Sequence, residues 1–197
     1  MKKLAILIPT IESDDPKKDR REYLHKLLAE LDKQIVRANA TDDAVIIPYA
    51  DDGTKTIGEK RNILLSMGIK VALNVVFFDD DDYPGDTYIK HLMDGINGGF
   101  DCCSLRGVML TDGENPELFE HSIKYGAWAT TDNHVKYERY PNHLNCIKSS
   151  IAKLFKFPET NHGEDKAWSD AVHKSGLIKS EYYTDDVIYV YQFNSNK

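Results

Sequence analysis

The chain has 197 residues, 41% of them apolar, enough for one well-cored domain and too few for two ordinary ones. Its net charge of −7 and pI near 5.5 exclude tight nonspecific nucleic-acid binding through a generally basic face, leaving only a local basic groove open. Cys102, Cys103 and Cys146 lack the spacing of a structural zinc site and fit a reduced, cytoplasmic protein.

The apolar residues after Met1-Lys2-Lys3 are too few for a signal peptide or a membrane span. Leu4 to Ile8 instead predicts a central parallel strand ended by Pro9, with Thr10, Ile11, Glu12 and Ser13 in the loop beyond it. Tyr23, Leu24, Leu27, Leu28, Leu31 and Ile35 then follow a helical period. Ala44 to Ile47 predicts a second buried strand, closed by Pro48-Tyr49-Ala50-Asp51-Asp52-Gly53. The next helix is expected to start near Ile57 or Gly58 and to end at Gly68 as a C-cap. Lys60-Arg61-Asn62 in its first turn put cations at the positive end of the helix dipole. They either tolerate a small penalty on an exposed face or await an anion.

Val71 to Phe78, broken only by Asn74, predicts a strand buried on both faces that delivers Asp79, Asp80, Asp81 and Asp82 at its C-terminal end. Strand alternation would put Asp79 and Asp81 on one face and Asp80 and Asp82 on the other. Such crowding needs a counter-charge. The run reads either as a solvated acidic turn or as a seat for a hard divalent cation, Mn²⁺ or Mg²⁺.

Further on, a helix is expected over about 87–96, a strand over 101–105, irregular hairpins flanking a cleft over 107–141, and a helix over about 148–155. A helix through Trp168, Ala171 and Val172 stops at Gly176, and a last strand covers 187–193. Buried strands alternating with helices predict an α/β fold with a mostly parallel sheet, whose ligands bind outside the carboxyl ends of its strands. Thr10 and Glu12, Asp51 and Asp52, and the run at 79–82 therefore share one edge with Lys60 and Arg61. Acceptors for a base or ribose, cations for phosphate and carboxylates for a metal are the inventory of a nucleotide-diphosphate site.

Five stretches resemble, in order, the motifs of family 2 glycosyltransferases of the GT-A fold. They are Leu7-Ile8-Pro9-Thr10, Tyr49-Ala50-Asp51-Asp52-Gly53, Gly58-Glu59-Lys60-Arg61-Asn62, Phe77-Phe78-Asp79-Asp80-Asp81-Asp82 and His162-Gly163-Glu164-Asp165-Lys166-Ala167-Trp168. The resemblance spans roughly residues 4–170. It implies one GT-A-type, Rossmann-like domain over 1–197, with a mostly parallel central sheet flanked by helices and a small antiparallel or irregular acceptor-side region. The donor-nucleotide half would cover about 1–105 and the acceptor and catalytic-base half about 106–197. It also implies metal-dependent transfer of a sugar from a nucleotide-sugar donor, most commonly a UDP-sugar, to an acceptor hydroxyl, with inversion at the anomeric carbon.

Carried over by position, Thr10 and Asp52, with Asp51 as the alternative, would hold the nucleobase, with Glu12 beside them. Asp79 and Asp81 match the DxD pair, the first near ribose and metal, the second the main metal ligand, with Asp80 between them on the donor side. Lys60 and Arg61 match positions beside the pyrophosphate or base. Asp165, preceded by Glu164, matches the catalytic base. Residues 160–165 read equally as a helix start, with Thr160 or Asn161 as cap and acids in the first turn. His143 or His162 could complete a metal shell or touch a phosphate, although a lone histidine is more often a structural hydrogen-bonder. Trp128 and Tyr137 suit either sugar stacking or packing.

The chain departs from the family pattern in a longer link over 65–78, and in having no membrane helix or long acceptor domain after the base motif. The expectation is a compact soluble transferase rather than a processive membrane synthase. Two rival readings stand beside it: an aspartate-nucleophile phosphatase, whose Asp-x-Asp belongs nearer the N-terminus, and a non-catalytic nucleotide-sugar or glycan binding module. The acceptor is a saccharide, a protein or a hydroxylated base in nucleic acid such as DNA. The last is suggested by the local basicity of Lys148, Lys153, Lys156, Lys166, Lys174 and Lys179.

Overall fold

A computed structural model describes residues 1–193 and 195. In chain order the elements are β1 (Lys2–Ile11), α1 (Arg21–Arg37), β2 (Ala44–Asp51), α2 (Ile57–Val71), β3 (Ala72–Phe77), β4 (Tyr83–Pro84) and α3 (Tyr88–Asn97). Then come β5 (Cys102–Cys103), β6 (Leu105–Thr111), β7 (Glu114–His121), β8 (Ala129–Thr130), β9 (Tyr137–Arg139) and β10 (Ile147–Lys148). The last are α4 (Ser149–Ala152), α5 (Glu164–Ser175), β11 (Glu181–Tyr182) and β12 (Tyr189–Phe193). Among the described residues they build two six-stranded sheets, ordered β11-β5-β10-β3-β1-β2 and β4-β12-β6-β7-β9-β8. In the first sheet β10 alone runs against the rest, so the expectation of a mostly parallel sheet holds there. The second sheet is mixed and larger than the irregular region foreseen for 107–141, with β6 and β7 forming a hairpin.

The first sheet is central because β1 is apolar on both faces. Leu4, Ile6 and Ile8 pack with Leu27, Leu31, Ile89 and Leu92 from α1 and α3, while Ala5 and Leu7 pack with Leu64, Leu65 and Trp168 from α2 and α5. Full burial of each Leu or Ile contributes about 1.5–3 kcal/mol. That sum fixes the layer order of helix, sheet, helix.

Several boundaries differ from the sequence reading. β2 is a half-buried edge strand rather than a buried one, and it continues through Pro48 because no strand lies beyond it to need the missing N–H. β1 passes Pro9 for the same reason, since its pairing with β3 ends at Leu7. α2 does not stop at Gly68. A Cβ there would come within 2.9 Å of Leu7 and 3.0 Å of Val75, so this glycine serves close helix-to-strand approach rather than a C-cap. β3 is shorter than foreseen, starts at the buried Ala72, and exposes Leu73. α4 is a single turn, and the two-residue β11 was not foreseen. Both halves of the sequence feed both sheets: β4 joins the second sheet, and β10 and β11 return to the first. Among the described residues no helix is long and apolar enough to cross a membrane.

The acidic run is the crossing between the sheets, leaving β3 in one and entering β4 in the other. Its last member, Asp82, is buried and accepts hydrogen bonds from the Tyr189 hydroxyl at 2.7 Å and the Gln192 amide at 2.8 Å, which fastens the run to β12. Burial, with Asp79 nearby, raises its carboxyl well above the usual range. Folded Asp82 therefore holds its proton at pH values where the unfolded chain has lost it, so its contribution to stability falls as pH rises from the ordinary carboxyl range to the raised folded value. Urea unfolding of wild type and Asp82→Asn across acid to neutral pH should show wild type losing stability relative to the variant as pH rises. A pH-independent difference would contradict this.

Candidate functional site

The site is organised by the first turn of α2. Thr56 and Glu59 form a reciprocal cap: the Thr56 hydroxyl accepts from the Glu59 amide at 3.2 Å, and the Glu59 carboxylate accepts from the Thr56 amide at 2.8 Å. With the helix end satisfied, Lys60 and Arg61 turn inward and both are buried. Lys60 Nζ donates to the Thr10 carbonyl at 3.1 Å and pairs with Asp51 at 3.0 Å. Arg61 pairs with Glu164 and, at 3.2 Å, with Asp79, and lies 2.9 Å from His143 Nε2. These cations therefore neither lie on an exposed face nor wait for an external anion. Carboxylates from distant parts of the chain already meet them.

The same turn grips the segment that leads into α5. The Ile57 amide donates to Asn161 Oδ1 at 3.0 Å, the Gly58 amide to the Thr160 carbonyl at 3.1 Å, and Asn62 exchanges two hydrogen bonds of 2.9 Å with the backbone of Phe157. Gly58 is required here because a Cβ would lie 1.8 Å from the Pro158 carbonyl oxygen. Asn161 thus holds α2, and the residue before α5 is Gly163, in the left-handed region at φ 75°, instead of a Thr160 or Asn161 side-chain cap. Glu164 is tied down by Arg61, and Asp165 follows it, half-buried on the wall of a cleft of about 610 Å³. Its carboxylate has no hydrogen-bond or ion-pair partner among the described residues.

The acidic run divides differently from the alternation that a strand would impose. β3 ends at Phe77 and the run closes a turn, with the Asp82 amide donating to the Asp79 carbonyl at 3.2 Å. Asp79 faces Arg61 and His143; burial raises its carboxyl, but those two outweigh burial and leave it below the usual range. Asp80 and Asp81 instead share Arg20, at 2.8 Å in the case of Asp81. Asp80 is buried, takes the Thr10 hydroxyl at 2.6 Å, and is raised by burial in spite of Arg20. Arg20 escaped the sequence reading; the unanswered need for a counter-charge was the signal that could have found it.

Two clefts result. The first is lined by Arg61, Asp79, His143, Glu164 and Asp165, facing Arg139, Tyr191 and Phe193 from the second sheet. A second, of about 600 Å³, is lined by Glu12, Ser13, Asp14, Arg21, Asp51 and Asp52. Thr10, Lys60, Asp80 and Asp81 line neither; Thr10 joins Asp80 to Lys60, which pairs with Asp51 of the second cleft. Tyr191 also escaped notice. Its phenol is pushed up to about 12 by burial and by Asp82, Asp79, Asp81 and Asp165, so it is a neutral hydroxyl within electrostatic range of both acidic sets. Trp128 packs near Tyr140, while the Tyr137 hydroxyl donates to Glu117 at 2.9 Å.

Among the described residues no group of three or more His, Cys, Asp and Glu is placed to hold a metal by itself. The donor set still suits a hard cation that takes one or two carboxylates and fills its shell with phosphate oxygens and water, since Asp79 and Asp81 keep 26% and 17% of their side chains exposed. His143 has one nitrogen against Arg61, and its Nδ1 is buried without a partner. Removing Arg61 would leave Glu164 an uncompensated buried charge and take from Asp79 its ion-pair partner. Arg61→Met should therefore cost about 3–5 kcal/mol in urea unfolding, with Glu164→Gln on the same background restoring part of it. A loss below about 1 kcal/mol, as for an exposed pair, would contradict the network.

No protein-family profile matches the sequence, and no curated protein is significantly similar to it. Solved structures are similar in fold. Residues 1–349 of S. aureus TarS superpose with a TM-score of 0.63 at 16% identity, over 96% of this chain and 60% of that one. The same TarS fragment in complex with UDP-GlcNAc gives 0.57 at 15% identity, over 96% and 58%. The catalytic domain of Drosophila beta1,4galactosyltransferase 7, in complex with xylobiose, gives 0.58 at 12% identity, over 96% and 70%. GalNAc-T7 with UDP, GalNAc and Mn²⁺ gives 0.52 at 12% identity, over 98% and 44%. The chain spans about three fifths of the TarS fragment's length. At such identities the likeness is one of architecture: this chain has the GT-A-type fold found in nucleotide-sugar glycosyltransferases.

Proposed function

We propose that the chain is an inverting glycosyltransferase that moves a sugar from a nucleotide-diphosphate sugar, a UDP-sugar by preference, to an acceptor hydroxyl. One observation carries the reading. The Asp165 carboxylate has no hydrogen bond or ion pair among the described residues, yet stands in one cleft with Asp79, and Arg61 links Asp79 to the neighbouring Glu164. The likeness to structures that contain UDP-GlcNAc, or UDP with Mn²⁺, supports the donor class.

In the reaction, an acceptor oxygen bonds to the anomeric carbon as the bond from that carbon to the β-phosphate oxygen breaks, its electron pair leaving with the nucleoside diphosphate. The acceptor's proton passes to Asp165 Oδ, a step typically worth about 10²–10⁴-fold. Glu164 is a positioning residue that fixes the start of α5 through Arg61. Glu12, Asp51 and Asp52 would receive the base or ribose in the second cleft. The buried Thr10, Lys60 and Asp80 would act by holding those neighbours in place. Mn²⁺ or Mg²⁺, held by Asp79 and Asp81, would neutralise charge on the leaving diphosphate. On this reading residues up to about 105 serve the donor and the remainder the acceptor and base. The cytoplasm is the proposed compartment, supported by the three buried free cysteines.

Asp165→Asn should lower sugar transfer, or hydrolysis of the donor by water, by about 10²–10⁴-fold while leaving UDP affinity within about twofold. Undiminished turnover would overturn Asp165 as the base, and a wild type that binds UDP-sugars without turnover would be a binding module. UDP with Mn²⁺ should raise the melting temperature more than UDP with a chelator, because ligands that bind only the folded state stabilise it. Equal shifts would overturn the metal's part.

A further inference from the structure

Arg139 is a cation of the cleft at Asp165 whose guanidinium no described residue satisfies. Of the arginines that are partly or fully buried, Arg20, Arg61 and Arg106 each have a carboxylate within 2.8–3.2 Å or closer. Its backbone carbonyl takes the Ser122 amide at 2.9 Å, but the Arg139 guanidinium has no hydrogen bond or ion pair with any described residue. Its guanidinium carbon instead lies 4.4 Å from the ring centre of Trp128 and 5.9 Å from that of Tyr137. Burial pulls its pKa below the usual arginine value, and Asp165 is the chief charge opposing that effect, ahead of Tyr191 and Tyr137. A partly dehydrated guanidinium held on aromatic faces, its fork of donors unused, is arranged to receive an oxyanion.

We propose that the acceptor is a saccharide carrying an anionic group, phosphate or carboxylate, and that Arg139 receives this group while the acceptor hydroxyl meets Asp165. The inference rests on the transferase reading of Asp165. Two sources could bring an oxyanion to the cleft, the donor's diphosphate and the acceptor. Inversion sets the base and the leaving diphosphate on opposite sides of the anomeric carbon, and Arg139 stands on the side of the base: its guanidinium lies 4.4 Å from the centre of the Trp128 ring, and Nζ of Lys166, the residue next to Asp165, lies 5.6 Å from the same ring centre. That places Arg139 on the acceptor's side. A nucleic acid fits less well: of the C-terminal lysines, Lys166 lies near this cleft, its Nζ 5.6 Å from the Trp128 ring centre, while Lys148 and Lys153 lie elsewhere. Lys148 and Lys153 line a groove with Met1 and Leu73 at the opposite edge of the first sheet, and Lys166 is paired with Asp170 at 2.9 Å. One unpaired cation suits one anionic group better than a polyanion.

The test is calorimetry on the full chain with UDP and Mn²⁺ present, using glucose 6-phosphate, glucuronate and neutral glucose as probes. The two anionic sugars should bind about tenfold more tightly than glucose or better. Arg139→Gln should abolish that difference and leave UDP affinity within twofold, and Arg139→Lys should keep part of it. Preference retained in Arg139→Gln, or no preference in wild type, would overturn the proposal. So would loss of UDP affinity in Arg139→Gln, which would assign the residue to the donor, or a short DNA duplex outcompeting the sugar acids. These measurements need no turnover, so Arg139-dependent anion binding in a chain that transfers nothing would sink the transferase reading alone. If Arg139 serves only as a counter-charge to Asp165, its variants would shift the pH profile of turnover equally for charged and neutral acceptors, which would also overturn the proposal.

Discussion

Four consecutive carboxylates at the end of a buried strand are tolerable only because two arginines from separate elements draw them apart. Arg20, just before α1, takes Asp80 and Asp81, and Arg61, in the first turn of α2, takes Asp79. Asp82 has no cation and takes hydroxyl and amide hydrogens from β12 instead. The consequences differ in sign. Asp79 is left below the ordinary carboxyl range, while Asp80 and Asp82 lie above it, since desolvation outweighs their partners. The run thereby becomes a joint between the two sheets rather than a repulsive loop, and the cleft between them takes its shape from that joint.

The second dependence runs through α2. A helix start carrying two buried cations is costly in isolation, because the dipole and desolvation both oppose it. Here the cap formed by Thr56 and Glu59 satisfies the helix end, and Asp51, Asp79 and Glu164 satisfy the cations. Buried pairs of this kind add little net stability, yet breaking one is expensive, so they specify a single arrangement. That arrangement brings the strand ends of the first sheet into register with the start of α5. Asp165 owes its position to residues it does not touch.

Much of the fold could be read from the chain. The double-faced apolar run of β1, the helical period of α1 and the glycine after α5 are local patterns, and the order of the motifs pointed to the architecture found. The errors arose where tertiary contacts override local ones. Alternation at 79–82 assumed that β3 continued, and a turn had already ended it. Gly68 looked like a helix end because glycine often is one, but its reason lies across the layer in Leu7 and Val75. Arg20 and Asp80 are 60 positions apart, so no window on the sequence pairs them. The two-residue strands β10 and β11 are too short to show a period. Arg139 was invisible for a different reason: what marks it is a guanidinium with no bonded partner among the described residues, which no pattern of residues records.

The central claim is that one donor molecule engages both acidic edges, its base or ribose at Glu12, Asp51 and Asp52 and its diphosphate at Asp79 and Asp81. Amide chemical-shift mapping with UDP and Mn²⁺ tests it most directly, provided the paramagnetic ion is replaced by Mg²⁺ where signals broaden. Changes are expected at 12–14, at 51–53 and at 79–82 in the same titration, with a common affinity and with 117–139 little affected. Changes confined to one of the two edges, or separate affinities for each, would contradict it.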